Sequence, residues 1–274
     1  MWRLSLTILF SVLWWGGCGD WSDPPPAEIA VTNSYLHAIV RDLCGDETAI
    51  FAVVPPGMCP GHFDIKPADV RRLHRCRLLL AFDFQEGIAR VLPDGGRGPV
   101  FGAITVPQGM CIPDSYLAMT GDVAEILIAQ YPQREDEFRR RLKQITARME
   151  RLQADSAEMI NALELDGEAV LASVHQAPFA RWLGLEVVAT FSGSDSETAS
   201  NINAALGAAG SRTIRAVIAN RQEGAQLAEA LADRLDAPVA VFSNFPDAPA
   251  NSQHSPAFDQ LLRDNLRRLA EAVQ

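Results

Sequence analysis

The feature that most constrains the fold is one long amphipathic stretch near the middle of the chain. Apolar side chains recur from Phe138 to Leu163 at steps that alternate between four and three residues, with Ser156 in the one polar slot. This spacing places them on one stripe of an α-helix, which over residues 133–163 would be about 45 Å long. Because α/β patterns lie on both sides, we interpret the helix as a spine that joins two lobes. A free coiled coil of four heptads is the alternative.

Strand-like runs alternate with helical patterns on each side of this stretch. Strands are predicted over residues 28–31, 48–54, 77–82 and 99–105, and then over 169–174, 186–191, 214–219 and 238–242. Helices are predicted over 35–44, 67–75, 179–183, 197–208, 223–235 and 256–273. Short strands alternating with helices indicate parallel sheets covered on both faces. The expected fold is α/β, with two parallel-sheet lobes joined by one long rigid helix and a ligand cleft between the lobes.

The N-terminus has the layout of an export signal. A short positive start is followed by an uncharged run from Leu4 to Trp15, and Gly16-Gly17 precede Cys18. The apolar run is too short for a permanent transmembrane helix, so residues 1–17 are predicted to be a signal peptide. Cys18 is expected to be lipidated, although Trp15 stands where such motifs usually carry Leu. Simple cleavage nearby is the alternative.

The predicted organisation follows from this layout. Residues 18–27 would form a lipid-anchored tether, residues 28–131 the N-terminal lobe, 132–165 the connecting helix and 166–274 the C-terminal lobe. The mature protein is then expected on the periplasmic side or the cell surface, as a monomer held to the membrane by its lipid. A net charge of −10 and the lack of a basic cluster argue against a nucleic-acid partner.

Export makes the cysteine count informative, because an oxidising compartment permits disulfides. Without Cys18, four cysteines remain. Cys44 and Cys76 fall within apolar patterns and are interpreted as core residues. Cys59 and Cys111 lie in loops, where they could bind a metal ion or form a disulfide with each other.

The candidate site is predicted from strand ends, since ligands of open parallel sheets bind beyond the carboxyl ends of the strands. The loop after 48–54 holds Cys59 and His62, the loop after 99–105 holds Cys111, and His175 directly follows Val174. Two thiolates and two imidazoles suit tetrahedral zinc. A softer ion such as Cu⁺ would also fit, whereas Mn²⁺ prefers carboxylates. Each histidine also has an alternative. His62 could be a turn residue that bonds to the backbone, and His175 could be a cleft histidine whose hydrogen bonds are satisfied within the protein.

Other chemistry lacks support in the sequence. No nucleophile elbow, phosphate-binding loop or dinucleotide fingerprint is present, so no catalytic residue is expected and the chain is not predicted to be an enzyme. His37, His74 and His254 are interpreted as surface or packing residues.

Several segments resemble the metal-specific solute-binding proteins of zinc and manganese ABC importers. Residues 54–69 are similar to the family segment P-G-x-D-P-H-x-[FY]-x-P-x-P-x-D, and residues 173–188 to its S-H-x-A-F…G-L segment. Residues 217–239 and Asn265-Leu266 also fit. The resemblance implies two α/β lobes on a long helix, a metal between the lobes, and an ABC permease as partner.

The departures from this pattern fall on the family's metal ligands. Gly61 stands at its first histidine, with His62 one residue later, and Cys59 stands at the aspartate before it. Gln108 takes the second histidine position, three residues before Cys111. His175 matches the third histidine. The final carboxylate falls near Ser243 and Asn244, with Asp247 the nearest acid.

The resemblance implies a receptor that captures zinc for an importer through a site rebuilt around sulfur. Two alternatives remain open. One is a receptor for a metal chelate, in which Cys59 and Cys111 pair as a disulfide. The other is a thiol redox or metallo-hydrolytic lipoprotein that uses Cys59 or a bound metal as its reactive centre.

Overall fold

The architecture is seen in a computed structural model that describes residues 27–55, 65–91, 98–193, 198–247 and 257–274. The predicted signal peptide, Cys18, Cys59, His62 and His254 lie outside these residues, as does all but the last residue of the predicted tether.

The N-terminal lobe is built on a four-stranded parallel sheet. Its strands are β1 (Ile29–Val31), β2 (Ile50–Ala52), β3 (Leu78–Phe82) and β4 (Val100–Ile104), in the order β2-β1-β3-β4. Helices α1 (Ser34–Cys44) and α2 (Pro67–Leu73) lie between strands, and a 3₁₀ segment, Asp83–Val91, follows β3. Asn33 begins α1 by accepting a hydrogen bond from Leu36 N at 2.9 Å, and Pro67 begins α2 at a position that needs no N–H donor.

The C-terminal lobe repeats the same sheet order. Strands β5 (Ala169–Ser173), β6 (Glu186–Phe191), β7 (Ala216–Asn220) and β8 (Val239–Phe242) are parallel in the order β6-β5-β7-β8. The lobe's helices are α5 (Ala177–Trp182), α6 (Ala199–Ala209), α7 (Gln226–Leu235) and α8 (Phe258–Val273). Buried strands such as Ala169–Ser173 are apolar along nearly their whole length, as expected where helices cover both faces.

The predicted spine is α4 (Glu135–Ala162), and the predicted two-lobe α/β fold is confirmed. Its buried residues are the members of the predicted stripe Phe138, Ile145, Met149, Leu152 and Ser156, together with Ile160. A preceding helix, α3 (Pro113–Gln130), was not predicted from the sequence. Its exposed positions do recur at helical steps, but this face carries Ala118 and Ala129 and the buried face carries Ser115 and Thr120, so the apolar and polar residues show little contrast. The helix predicted over 223–235 begins at Gln226.

One hydrophobic core continues through both lobes. Phe258, at the start of α8, is buried between aromatic rings of the N-terminal lobe. Its ring stacks on Tyr116 with centroids 4.2 Å apart, and its centroid lies 5.9 Å from that of Tyr35. Arg148 of the spine also joins the lobes, because it lies 3.1 Å from both Asp42 Oδ1 of α1 and Asp259 Oδ1 of α8. The two lobes are therefore packed as one unit around the spine.

No helix within the described ranges has both the length and the apolar character needed to cross a membrane.

Candidate metal centre

A cleft of about 860 Å³ lies where segments that follow strands of the two sheets face each other. The N-terminal lobe contributes residues after β3 and β4, among them Asp83 and Gln108. The C-terminal lobe contributes residues after β5, β7 and β8, among them His175, Glu223 and Asn244. The cleft therefore occupies the position expected for ligand binding in open parallel sheets.

His175 and Glu223 form a hydrogen-bonded pair in this cleft. His175 Nδ1 lies 2.7 Å from Glu223 Oε1, and Ser173 Oγ donates to Glu223 Oε2 at 2.6 Å. Strands β5 and β7 are neighbours in the sheet, so the residues that follow them emerge side by side. Gly193, after β6, closes the other side: a Cβ there would lie 3.1 Å from Glu223 Cβ. The imidazole is 60% exposed and the carboxylate 19% exposed, so the histidine faces the cleft and its partner lies behind it.

Each member of the pair shifts the pKa of the other toward its charged form. The hydrogen bond to Glu223 raises the pKa of His175 above its ordinary value, and partial burial opposes this only in part. Burial alone would raise the pKa of Glu223, but hydrogen bonds from His175, Ser173 and Asn220 hold it below its ordinary value. Because Nδ1 is engaged by the carboxylate, Nε2 is the ring nitrogen left to bind a ligand, as in metal sites where a carboxylate orients the histidine.

Cys111 lies behind the cleft rather than in it. It is fully buried as a free thiol, and its Sγ donates to Ser243 O at 3.0 Å, with Asn265 Nδ2 3.4 Å away. Burial raises the pKa of this thiol far above its ordinary value, and the Asn265 hydrogen bond lowers it only in part. The thiol therefore serves as a buried hydrogen-bond donor in this structure and does not line the cleft. Gly109 shapes the loop, since its φ is +82° and a Cβ there would lie 2.3 Å from Ile112 Cδ1.

Within the part of the chain that the structure describes, Gln176, the neighbour of His175 in sequence, and Cys111 meet at the side-chain amide of Asn244. Gln176 Nε2 donates to Asn244 Oδ1 at 3.0 Å, and Cys111 Sγ lies 3.6 Å from that same oxygen. Within the described residues, no three His, Cys, Asp or Glu side chains come together in a way that could hold a metal ion. Cys59 and His62 lie outside those residues, so the four-ligand site predicted from the sequence stays a prediction.

The remaining candidates occupy positions away from the pair. Asp247, the acid nearest the end of β8, forms an ion pair with Arg221 at 2.6 Å. Cys44 and Cys76 are buried in the N-terminal lobe, and burial raises the pKa of Cys44 to about 11. His74 is exposed on the surface.

Comparison with known proteins identifies the family. Residues 112–272 match the model of ZnuA, the periplasmic component A of the zinc-uptake complex. The chain belongs to this family. Family members are metal-binding solute receptors on the outer side of the cytoplasmic membrane that serve ABC importers, and the chain is a receptor of this kind.

Among the proteins similar to this ZnuA family member, one is described only as metal-binding and two are described with manganese. A Thermotoga maritima protein described as metal-binding is 26% identical over 259 residues, covering 90% of this chain and 92% of its own length. PsaA of Streptococcus anginosus, a manganese ABC transporter substrate-binding lipoprotein, is 18% identical, covering 62% of this chain and 63% of its own. The fold matches a Mn-bound periplasmic metal-binding protein from Candidatus Liberibacter asiaticus, with a TM-score of 0.75, 14% identity and coverage of 90% and 99%.

Glu223 lines the cleft of this ZnuA family member but was not among the site residues predicted from the sequence. It was predicted to be the first residue of a helix, whereas it ends the 3₁₀ turn Arg221–Glu223 directly after β7. The ligands predicted at strand ends are cysteines and histidines, and Asp247 is the acid that was considered after the last strand. Including carboxylates after every predicted strand would have identified it.

Proposed function

We propose that this protein captures a transition metal, zinc in the first place, outside the cytoplasm and delivers it to the permease of an ABC importer. The observation that carries the proposal is the His175–Glu223 pair, because a carboxylate on Nδ1 leaves Nε2 directed to bind a metal. Transport requires no catalytic step: the metal would be captured between the lobes and released when docking on the permease distorts the site.

Zinc is proposed over manganese on the chemistry of the donors. Imidazole suits zinc, whereas manganese prefers carboxylate and water oxygens. Of the ligands predicted from the sequence, His175 has the strongest support from geometry. Cys59 and His62, on the loop after β2, remain proposed ligands. Cys111 has the weakest support, because its thiol is fully buried and lies behind the cleft rather than in its lining.

The other proposed features concern anchoring and reactivity. Cys18 is proposed to carry a lipid that holds the receptor at the membrane beside its permease. The thiol redox alternative rests on Cys59, which lies outside the described residues, so it stays the alternative to this proposal.

The test is the metal content of the purified protein, measured by mass spectrometry on protein prepared reduced and without chelators. We expect about one equivalent of zinc, and loss of most of it in His175→Ala. His74→Ala is the matched control, since His74 is exposed and lies outside the cleft. Equal metal content in the His175→Ala variant and the parent would refute the site. No transition metal in any of the three proteins would refute the proposed function.

A further inference from the structure

One cation in the middle of the spine contacts a carboxylate from each lobe. Arg148 lies midway along α4, which runs from Glu135 to Ala162. Its Nη1 donates to Asp42 Oδ1 of α1 at 3.1 Å, and its Nη2 also contacts Asp42. Its Nε lies 3.1 Å from Oδ1 of Asp259, the second residue of α8. These three side chains, which we call the inter-lobe triad, therefore connect the two lobes through the spine.

The inter-lobe triad is partly buried beside the aromatic contact between the lobes. The side chains of Asp42, Arg148 and Asp259 are 21%, 31% and 24% exposed. Tyr116 Oη donates to Asp42 Oδ2 at 2.6 Å, and the ring of Tyr116 stacks on Phe258, the residue before Asp259. The triad and the aromatic stack thus lie on the same seam between the lobes.

The two carboxylates of the triad share one cation. Burial raises the pKa of Asp259 above its ordinary value, the charge of Arg148 lowers it, and the charge of Asp42 raises it again. Arg263 also lowers the pKa of Asp259, but Arg263 is exposed and itself lies 3.9 Å from Asp155. Without the Arg148 cation, Asp42 and Asp259 would therefore repel each other across the seam.

A partly buried ion triad is a weak source of stability. Taking the charges out of water costs much of the free energy that their attraction returns, so apolar side chains of similar volume could fill the seam as well. The triad does impose a position, because the planar fork of an arginine can meet two carboxylates at once and a lysine ammonium lacks this fork. At the middle of the spine, a fixed position of α1 relative to α8 fixes the angle between the lobes.

We propose that the inter-lobe triad is a lock that sets the angle between the two lobes, and with it the shape of the cleft. Arg148 holds Asp42 and Asp259 at one separation. Loss of the cation leaves two like charges facing each other, which changes the position of α1 relative to α8. The proposal goes beyond the proposed function, because the lock acts whether or not a metal is bound.

The test measures the distance between the lobes in the metal-free protein by electron paramagnetic resonance. Spin labels on unnatural ketone residues at the exposed Ala68 of α2 and Ala230 of α7 leave the cysteines untouched. We expect a narrow distance distribution in the parent and a shifted, broader one in Arg148→Gln. Adding Asp259→Asn to Arg148→Gln should bring the distribution back toward that of the parent, because it removes the repulsion. Arg151→Gln, at an exposed position of the spine, is the matched control and should behave as the parent.

The outcomes decide between a lock and ordinary packing. The same distribution in Arg148→Gln and in the parent would overturn the lock. A shift that Asp259→Asn does not relieve would assign the change to lost packing and would also overturn it. If Arg148→Gln does not fold, Arg148→Lys decides, since it keeps the charge without the fork. A shifted distribution in Arg148→Lys would support the lock, and one equal to that of the parent would refute it.

Discussion

The two lobes share one sheet order, and each has a carboxylate of the cleft after a central strand, Asp83 after β3 and Glu223 after β7. They differ in the hydrogen-bonded side chains that join these strand ends. In the N-terminal lobe, Thr32 and Gln85 follow β1 and β3, and Thr32 Oγ1 donates to Gln85 Oε1 at 2.7 Å. Asn33 Nδ2 joins them at 3.1 Å from Thr32 Oγ1, and all three side chains are neutral and buried. In the C-terminal lobe, His175 and Glu223 follow β5 and β7, are both titratable, and form a hydrogen-bonded pair with the imidazole toward the cleft.

The difference shows that the same sheet order can carry a structural hydrogen-bond network in one lobe and a ligand-binding group in the other. The neutral network saturates its own hydrogen bonds and fixes the start of α1, so it stabilises the fold without presenting a free group. The His175–Glu223 pair leaves Nε2 of the ring outside the pair's own hydrogen bond, so this nitrogen can bind a ligand once it is deprotonated. Among the described residues that line the cleft, the C-terminal lobe therefore supplies the imidazole that we propose as a ligand, and the N-terminal lobe supplies the Asp83 carboxylate and neutral groups such as Gln108.

The largest expected effect comes from a substitution that tests whether the lobes are separable. Phe258→Ala should reduce the free energy of unfolding by about 3–5 kcal/mol, because it empties an aromatic site shared by both lobes. Denaturant unfolding should remain a single transition. Phe84→Ala, on an exposed ring, should change stability by less than about 0.5 kcal/mol. Two separate transitions in the parent would show that the lobes fold independently.

The second prediction tests whether Glu223 supports metal binding by His175. Glu223→Gln removes the charge that orients His175, and we expect metal affinity to fall about 10–100-fold, as for other outer carboxylates of metal sites. Glu186→Gln is the control, because this exposed glutamate on β6 pairs with Arg212. Titration calorimetry gives both affinities. An unchanged affinity in Glu223→Gln would mean that the pair has no part in binding.

A smaller effect tests the neutral network in the other lobe. Asn33→Ala removes the cap of α1 and one buried donor, so stability should fall by about 1–2 kcal/mol. Metal affinity should stay as in the parent. Asn161→Ala, at an exposed position of the spine, is the control for stability. A loss of metal affinity without a loss of stability would contradict the division between the two strand ends.

The smallest effect is a shift in pH dependence. Proton and metal compete for His175 Nε2, so affinity should rise with pH as the imidazole loses its proton. Because Glu223 raises the pKa of His175, the midpoint in the parent should lie above the ordinary value of about 6.5. In Glu223→Gln it should move down toward that value. A metal affinity that does not change between about pH 6 and pH 8 would exclude His175 as the titrating ligand.

Local patterns predicted much of this fold from the sequence. The spine was visible because its buried side chains keep the helical period, and His175 was found because it directly follows a strand. Helix Pro113–Gln130 was missed because alanines on its exposed face and Ser115 and Thr120 on its buried face weaken the apolar period. The sequence could not reveal that Cys111 would be enclosed by Ser243 and Asn265, since that contact joins residues more than 130 positions apart.

The most direct test of the account is a crystal structure of the metal-loaded protein, with the ion located by its anomalous scattering. We predict a metal in the cleft at about 2.0–2.1 Å from Nε2 of His175, with Glu223 still on Nδ1. A metal bound away from His175, or on Nδ1 with Glu223 displaced, would contradict the central claim that the C-terminal strand ends present the metal-binding imidazole.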